Sequence, residues 1–192
     1  TENWSRPQAE VSGLMTLLRT FIDKYEREMI ERRVRLRVIG RREDLSGSLQ
    51  QALARIERST AAFDRQLIVA LSYSGRSELA RAARRIAEEV KAGTLVPEEV
   101  DEVAVAARLD APDVPDPDLI IRTSGELRIS NFLLWQCAYS EFYVTPVLWP
   151  DFREADFHAA LAAYAARDRR FGGVESGTPC AETAGARQEQ ES

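Results

Sequence analysis

The sequence has little with which to hold a soft metal or to staple itself: one histidine and two cysteines in 192 residues. Cys137 falls in an apolar stretch and Cys180 in a polar one, which argues against a disulfide and for a reducing compartment. His158 stands near alanines on a predicted helix, with no second ligand at metal spacing, and reads as a surface side chain. No apolar run approaches the roughly 20 residues that cross a bilayer, and no signal peptide is visible. Neither phosphate-loop pattern, G-x-x-x-x-G-K-S/T or G-x-G-x-x-G, occurs. A net charge of −5 speaks against a general nucleic-acid binder, which would carry a basic stripe. Nothing repeats at a fixed period. What remains, 44% hydrophobic and 30% charged, is an ordinary globular composition at a length suited to one domain with a core.

Pro7 suits the first turn of a helix, and apolar residues recur at three- and four-residue spacing from 11 to 33. The charged residues of its second half read as solvated i,i+4 pairs. Residues 34–39 alternate and stop at Gly40, which predicts a strand. A helix over 49–59 follows, capped by Ser46 or Ser48. The apolar run 67–71 predicts a strand buried on both faces, and a turn containing Gly75 leads into a helix over 77–91. A short helix fits 97–109, whereas 111–117 is too rich in proline for helix or strand. Further along, the pattern predicts a buried strand at 119–121, a short helix at 131–138 and a strand at 141–144. A turn at 149–151, with Asp151 as cap, precedes a last helix over 154–169 with Phe157, Leu161 and Tyr164 on one face. Beyond residue 173 the composition predicts disorder. Strands separated by helices point to an α/β fold with a parallel sheet, right-handed crossovers and helices on both faces.

The stretch 118–152 organises the rest. At the end of the strand at 119–121 polarity changes abruptly: Arg122, Thr123, Ser124, Gly125, Glu126, Arg128, Ser130 and Asn131 fall within ten residues. Ligands of open α/β sheets bind where strands end. Two arginines six apart, with hydroxyls and a glycine between, suit an anion with several oxygens, because each guanidinium offers a planar fork of donors. A solvated basic loop is the plainer alternative.

The string from Asp118 to Phe152 resembles the signature of the cis-prenyltransferases, the undecaprenyl diphosphate synthase or isoprenyl transferase family. The likeness continues in Thr1-Glu2-Asn3-Trp4-Ser5-Arg6-Pro7, in Ser72-Tyr73-Ser74-Gly75-Arg76 and in Arg169-Arg170-Phe171-Gly172-Gly173. The resemblance implies one domain over 1–173 with a mostly parallel six-stranded sheet flanked by helices, followed by a tail at 174–192. Because the chain opens at Thr1, inside a motif and without methionine, the first strand and its magnesium-binding aspartate are expected to be missing by N-terminal truncation. Where family members often carry an aspartate after the first glycine, this chain has Arg41.

The implied reaction condenses isopentenyl diphosphate with an allylic prenyl diphosphate, such as farnesyl diphosphate, into a cis-polyprenyl diphosphate, with Mg2+ as cofactor. By the same resemblance Arg122, Arg128 and Ser130 bind the isopentenyl diphosphate headgroup, Ile129 belongs with them to the substrate-binding residues, and Glu141 helps hold Mg2+. Asn3 assists proton removal, by positioning since an amide is a poor base, and Thr1, Glu2, Trp4 and Arg6 shape the substrate site. Arg6 could equally pair with Glu10 at a helix start. Leu14, Leu18, Leu67 and Val69 are candidates for a hydrocarbon tunnel, although ordinary core is the simpler reading of each; Trp135 and Trp149 read as packing anchors. The resemblance also implies a homodimer, consistent with surplus apolar residues between Phe132 and Trp149, a cytoplasmic setting, and transient contact with a membrane surface for product release. No nucleic-acid partner is expected. The alternatives are a non-catalytic partner subunit of the same fold, an inactive fragment, or an unrelated phosphate binder.

Overall fold

The computed structural model describes residues 8–167. Asn3, Thr1, Glu2, Trp4 and Arg6, the motif at 169–173 and the expected tail at 174–192 lie outside the described residues. In chain order the elements are α1 (Gln8–Glu31), β1 (Val34–Ile39), α2 (Gly47–Thr60), β2 (Arg65–Ala70), α3 (Gly75–Ala92), α4 (Glu102–Ala106), β3 (Leu119–Arg122), β4 (Glu141–Val144) and α5 (Glu154–Ala165). Contacts divide the chain into two units, Thr1–Phe152 and Arg153–Ser192, and α5 lies in the second.

The fold is α/β, with parallel strands as expected. The implied six-stranded sheet is represented among the described residues by four strands in two parallel pairs. β1 pairs with β2 from Val34 opposite Arg65 to Ile39 opposite Ala70. β3 pairs with β4 from Leu119 opposite Glu141 to Arg122 opposite Val144.

The core is built on β1. Leu36 and Val38 are two apart and share a face, where they meet Ile22 and Met29 of α1 and Leu49, Leu53 and Ile56 of α2. Ser46 caps α2 by accepting from the Leu49 amide, one of the two predicted alternatives. Thr60, also buried, donates to Ile56 O at 2.7 Å and accepts from Leu36 N at 3.0 Å, so α2 is tied to β1 by a hydroxyl as well as by packing. Arg27–Glu31 and Arg32–Glu28 are the expected i,i+4 pairs on α1, while Glu26 instead crosses to Arg55 of α2 at 3.0 Å.

Several expectations are corrected. β2 is not buried on both faces: Arg65, Gln66 and Leu67 are exposed, because among the described residues its one neighbour is β1. β3 is half-buried rather than buried. The helix expected over 97–109 breaks at Asp101, whose carboxylate accepts from Ala104 N at 2.8 Å and starts α4 afresh. Residues 131–138 form turns instead of a helix, since Asn131 and Leu133 have φ of 60° and 46°, outside right-handed helical space. Arg153, not Asp151, stands at the start of α5, and its amide donates to Asp156 at 2.8 Å. On that helix Phe157 and Leu161 are exposed. Trp149 is 73% exposed and stacks on Phe152, so it is no packing anchor.

Candidate active site

The site begins where β3 ends. The hydrogen-bond ladder runs on past the strands: Thr145 N–H donates to Arg122 O (2.9 Å), Gly125 N–H to Thr145 O (2.8 Å) and Ser124 N–H to Val147 O (2.9 Å). Between these anchors the backbone turns through left-handed conformations at Ser124 (φ 69°) and Gly125 (φ 68°). A Cβ at Gly125 would meet only Pro146 Cα at 3.8 Å, so glycine is needed there for its φ, not for space. The turn brings Glu126 back over the strand end, where it forms ion pairs with both Arg122 and Arg128.

This cluster is the chemical feature of the loop. Two guanidinium groups converge on one carboxylate, leaving an excess of one positive charge. The hydrogen bond from Arg122, then the charges of Arg128 and Arg122, hold the Glu126 carboxyl below its ordinary value of 4.5. The Arg122 Nε is buried and, among the described residues, without a hydrogen-bond partner. A donor in that state is costly to keep, and a multi-oxygen anion reaching the strand end would satisfy it. Mutual repulsion would otherwise splay the two arginines, so Glu126 fills the place of an anion and keeps the pair together.

Beyond the cluster the chain is fastened to α3. Ser130 and Asn131 are left-handed, at φ 51° and 60°. Asn131 Nδ2 donates to Ser74 Oγ at 2.8 Å, and Asn131 Oδ1 accepts from Arg76 N at 2.9 Å. Gln136 Nε2 lies 3.3 and 3.2 Å from the two carboxylate oxygens of Glu78. Glu78, 1% exposed, also accepts from Asp110 N at 2.9 Å and from the Tyr73 hydroxyl. Burial, and then Glu78 itself, push the Tyr73 phenol above its ordinary value of 10, so it stays protonated as a donor. Asp110 in turn accepts from Gly40 N at 3.0 Å and Arg81 Nη2 at 2.6 Å, which joins the end of β1 to α3.

The structure therefore brings Arg122 and Arg128 together and leaves Ser130 two residues past Arg128, on the same loop. Ile129 lies between them and is half-buried, whereas Arg128 and Ser130 on either side are exposed. Glu141 is placed differently. It opens β4 opposite Leu119, three residues along the pair from Arg122, or about 10 Å at strand rise. It is not part of the arginine cluster. Among the described residues no group of three or more His, Cys, Asp or Glu could hold a metal ion. A hard cation bound mainly through phosphate oxygens needs only one or two carboxylates, so the donor type of Glu141 fits Mg2+ though no protein cage surrounds it. Sequence reasoning gave no role to Glu126, Asn131, Glu78 or Gln136. The signal for Glu126 was its position, an acid between two arginines four residues before and two after it.

In a parallel α/β fold, paired guanidinium groups at a strand's carboxyl end suit an anion with several oxygens, such as a phosphorylated substrate. Comparison with known proteins narrows this. The family model for "Putative undecaprenyl diphosphate synthase", a prenyltransferase family, matches residues 1–172. The chain is 50% identical to the isoprenyl transferase of Rhizobium meliloti, over 93% of this chain and 72% of that one. It is 48% identical to a ditrans,polycis-undecaprenyl-diphosphate synthase, (2E,6E)-farnesyl-diphosphate specific, of Xanthomonas axonopodis pv. citri, over 90% and 67%. Lavandulyl diphosphate synthase of Lavandula x intermedia, solved with dimethylallyl diphosphate, superposes with a TM-score of 0.86 at 38% identity, covering 89% of this chain and 75% of that one. A probable undecaprenyl diphosphate synthase of Campylobacter jejuni gives 0.78 at 34%, covering 89% and 78%. The chain belongs to the undecaprenyl diphosphate synthase family of prenyltransferases.

Proposed function

We propose that this chain is an isoprenyl transferase that condenses isopentenyl diphosphate with an allylic prenyl diphosphate, such as farnesyl diphosphate, to build a cis-polyprenyl diphosphate for lipid carrier synthesis. The observation that carries the reading is the convergence of Arg122 and Arg128 at the end of β3. Relatives named for isoprenyl transfer and a structural neighbour holding an allylic diphosphate support the substrate class.

In this reaction the allylic C–O bond breaks and its electron pair leaves with the diphosphate. The double bond of isopentenyl diphosphate supplies the electrons for the new carbon–carbon bond, and a proton is then lost. Arg122, Arg128 and Ser130 hold the isopentenyl headgroup, so that its double bond lies at a fixed distance from the allylic carbon. Glu126 keeps the arginine pair oriented before the anion arrives, which lowers the reorganisation that binding requires. Asn3 is assigned to positioning at the proton-loss step, and Thr1, Glu2, Trp4 and Arg6 to shaping the substrate site. Glu141 would be this chain's carboxylate for Mg2+, and the ion would supply charge neutralisation of the diphosphate.

The hydrocarbon needs an apolar surface. A depression between α1 and the β1–β2 pair, lined by Phe21, Tyr25, Met29, Val34 and Leu67 together with the charged Glu28 and Arg32, offers one, and Leu67 is among the residues singled out for a tunnel. Leu18 and Val69 pack against the core instead, and the Leu14 side chain lies outside what is described. Exposed Phe132, Leu148 and Trp149 favour a homodimer, and we assign the protein to the cytoplasm with brief contact at the inner membrane surface. No described helix is long and apolar enough to cross a membrane.

The test is incubation of the intact gene product with radiolabelled isopentenyl diphosphate, farnesyl diphosphate and Mg2+, with a parallel Glu141→Gln variant. Chain-extended lipid, lost without Mg2+ and requiring more of it in the variant, is expected. No product from protein with both arginines intact would replace this reading with that of a non-catalytic partner subunit.

A further inference from the structure

We propose that Asn131 is a positioning residue, a clasp that fixes the anion-gripping loop to the start of α3 and so sets where Arg128 and Ser130 stand. The inference rests on the function proposed above. The three amides at the start of α3 that no helical carbonyl can reach are all taken within the protein. Gly75 N–H donates to Asn131 O at 2.8 Å, Arg76 N–H to Asn131 Oδ1 at 2.9 Å, and Ser77 N–H to Ser74 Oγ at 3.4 Å. Asn131 thus supplies two of the three acceptors, and its own amide donates to the buried Ser74 hydroxyl at 2.8 Å. This helix end is closed to a phosphate. Its attraction for an acceptor is used on residue 131 instead, and the substrate anion is left to the arginines.

Two further contacts make the junction tight. A Cβ on Gly75 would lie 2.7 Å from Leu134 Cγ and 3.1 Å from Asn131 O, so the segment after Asn131 is pressed against the helix at a glycine. The Tyr73 and Phe132 rings meet edge to face at 5.8 Å. Asn131 follows Ser130 directly, and both have positive φ. With both ends of the Asn131 amide engaged, the preceding residues have a fixed point of departure. Asparagine suits the place because it tolerates left-handed backbone and offers a donor and an acceptor together.

The experiment uses the intact gene product and Asn131→Gly, which keeps the left-handed backbone while removing the amide, with Ser74→Gly and the double variant. Steady-state KM for isopentenyl diphosphate, kcat, inorganic pyrophosphate affinity and urea midpoint are measured for each. We expect Asn131→Gly to raise KM by about tenfold or more, as a small misplacement of binding groups does, with a much smaller change in kcat. The double variant should be little worse than Asn131→Gly, because both changes open the same clasp. An unchanged KM beside a lowered urea midpoint would mean a merely structural role and would overturn the inference while the transferase reading stands. If the parent protein binds pyrophosphate without turning over, the transferase reading fails. The clasp then stands on a tenfold weaker pyrophosphate affinity in Asn131→Gly and falls on an equal one. A parent that neither turns over nor binds pyrophosphate overturns both.

Discussion

The β1–β2 pair and the β3–β4 pair have the same parallel geometry and opposite employments. β1 is backed by α1 and α2 through a continuous cluster in which Leu53 is 2% and Ile56 0% exposed. Every residue of β3 and β4 is only half-buried; Arg122 at the end of β3 and Arg128 in the loop beyond it are held by one acid, and the buried Arg122 Nε has no hydrogen-bond partner among the described residues. The first pair concentrates apolar burial, which stabilises in rough proportion to area. The second keeps unsatisfied polar capacity at a strand end, which a binding site needs and a core avoids. Polar clasps at Asn131 and Gln136 connect the second region to α3, so the loop is fixed without being buried.

The sharpest way to break this division is to damage the first region and look for an effect in the second. Ile56→Ala removes a fully buried side chain where α2 meets β1, and should cost about 2–5 kcal/mol, read as a lower urea midpoint. At a temperature where the variant is folded, KM for isopentenyl diphosphate should stay within about threefold of the parent's, since no contact to the arginine loop is lost. A tenfold rise in KM would show that the two regions are not separate in function.

The converse change is expected to be smaller in free energy and larger in activity. Arg122→Ala deletes the guanidinium at the end of β3, and should weaken headgroup binding by about 1.5–3 kcal/mol. That is about tenfold to more than a hundredfold in KM at 1.4 kcal/mol per decade. Lysine should not restore it, because an ammonium lacks the planar fork that two phosphate oxygens would take. An unchanged KM for Arg122→Ala would remove this residue from the site and, with it, the main support for the transferase reading.

The contrast also explains which features the sequence made legible. β1 and β4 were read to the residue because alternation and flanking turn residues are local signals. The family motif marked Arg122, Arg128 and Ser130 as candidates for a similar reason, since they lie in one continuous string. What failed depends on partners distant in the chain. Residues 131–138 look helical, but the Asn131 amide is committed to Ser74 and Arg76, more than 50 residues earlier, and the backbone turns left-handed to reach them. The run at 67–71 looks like a central strand, and its burial depends on neighbours that sequence does not specify. Glu126 was visible as a charge and invisible as a tie, because only the turn through Ser124 and Gly125 aims it back at both arginines.

The smallest expected effect concerns that tie. Glu126 is held below 4.5 first by its hydrogen bond from Arg122, so the folded state favours its ionised form. The sign follows: a depressed carboxyl contributes stability that is fully present above its unfolded value and is lost as pH falls through its folded value. In Glu126→Gln that contribution is absent at every pH. The difference in urea midpoint between parent and variant should therefore be constant at pH 6 and above, begin to shrink below about 4.5, and vanish at lower pH still. Solvent at the loop keeps the difference small. A difference that does not change as pH falls from 6 to below 4 would mean that the variant acts through lost packing and not through charge. The acid would then be a filler at the strand end, and the arginine pair would need another explanation for staying together.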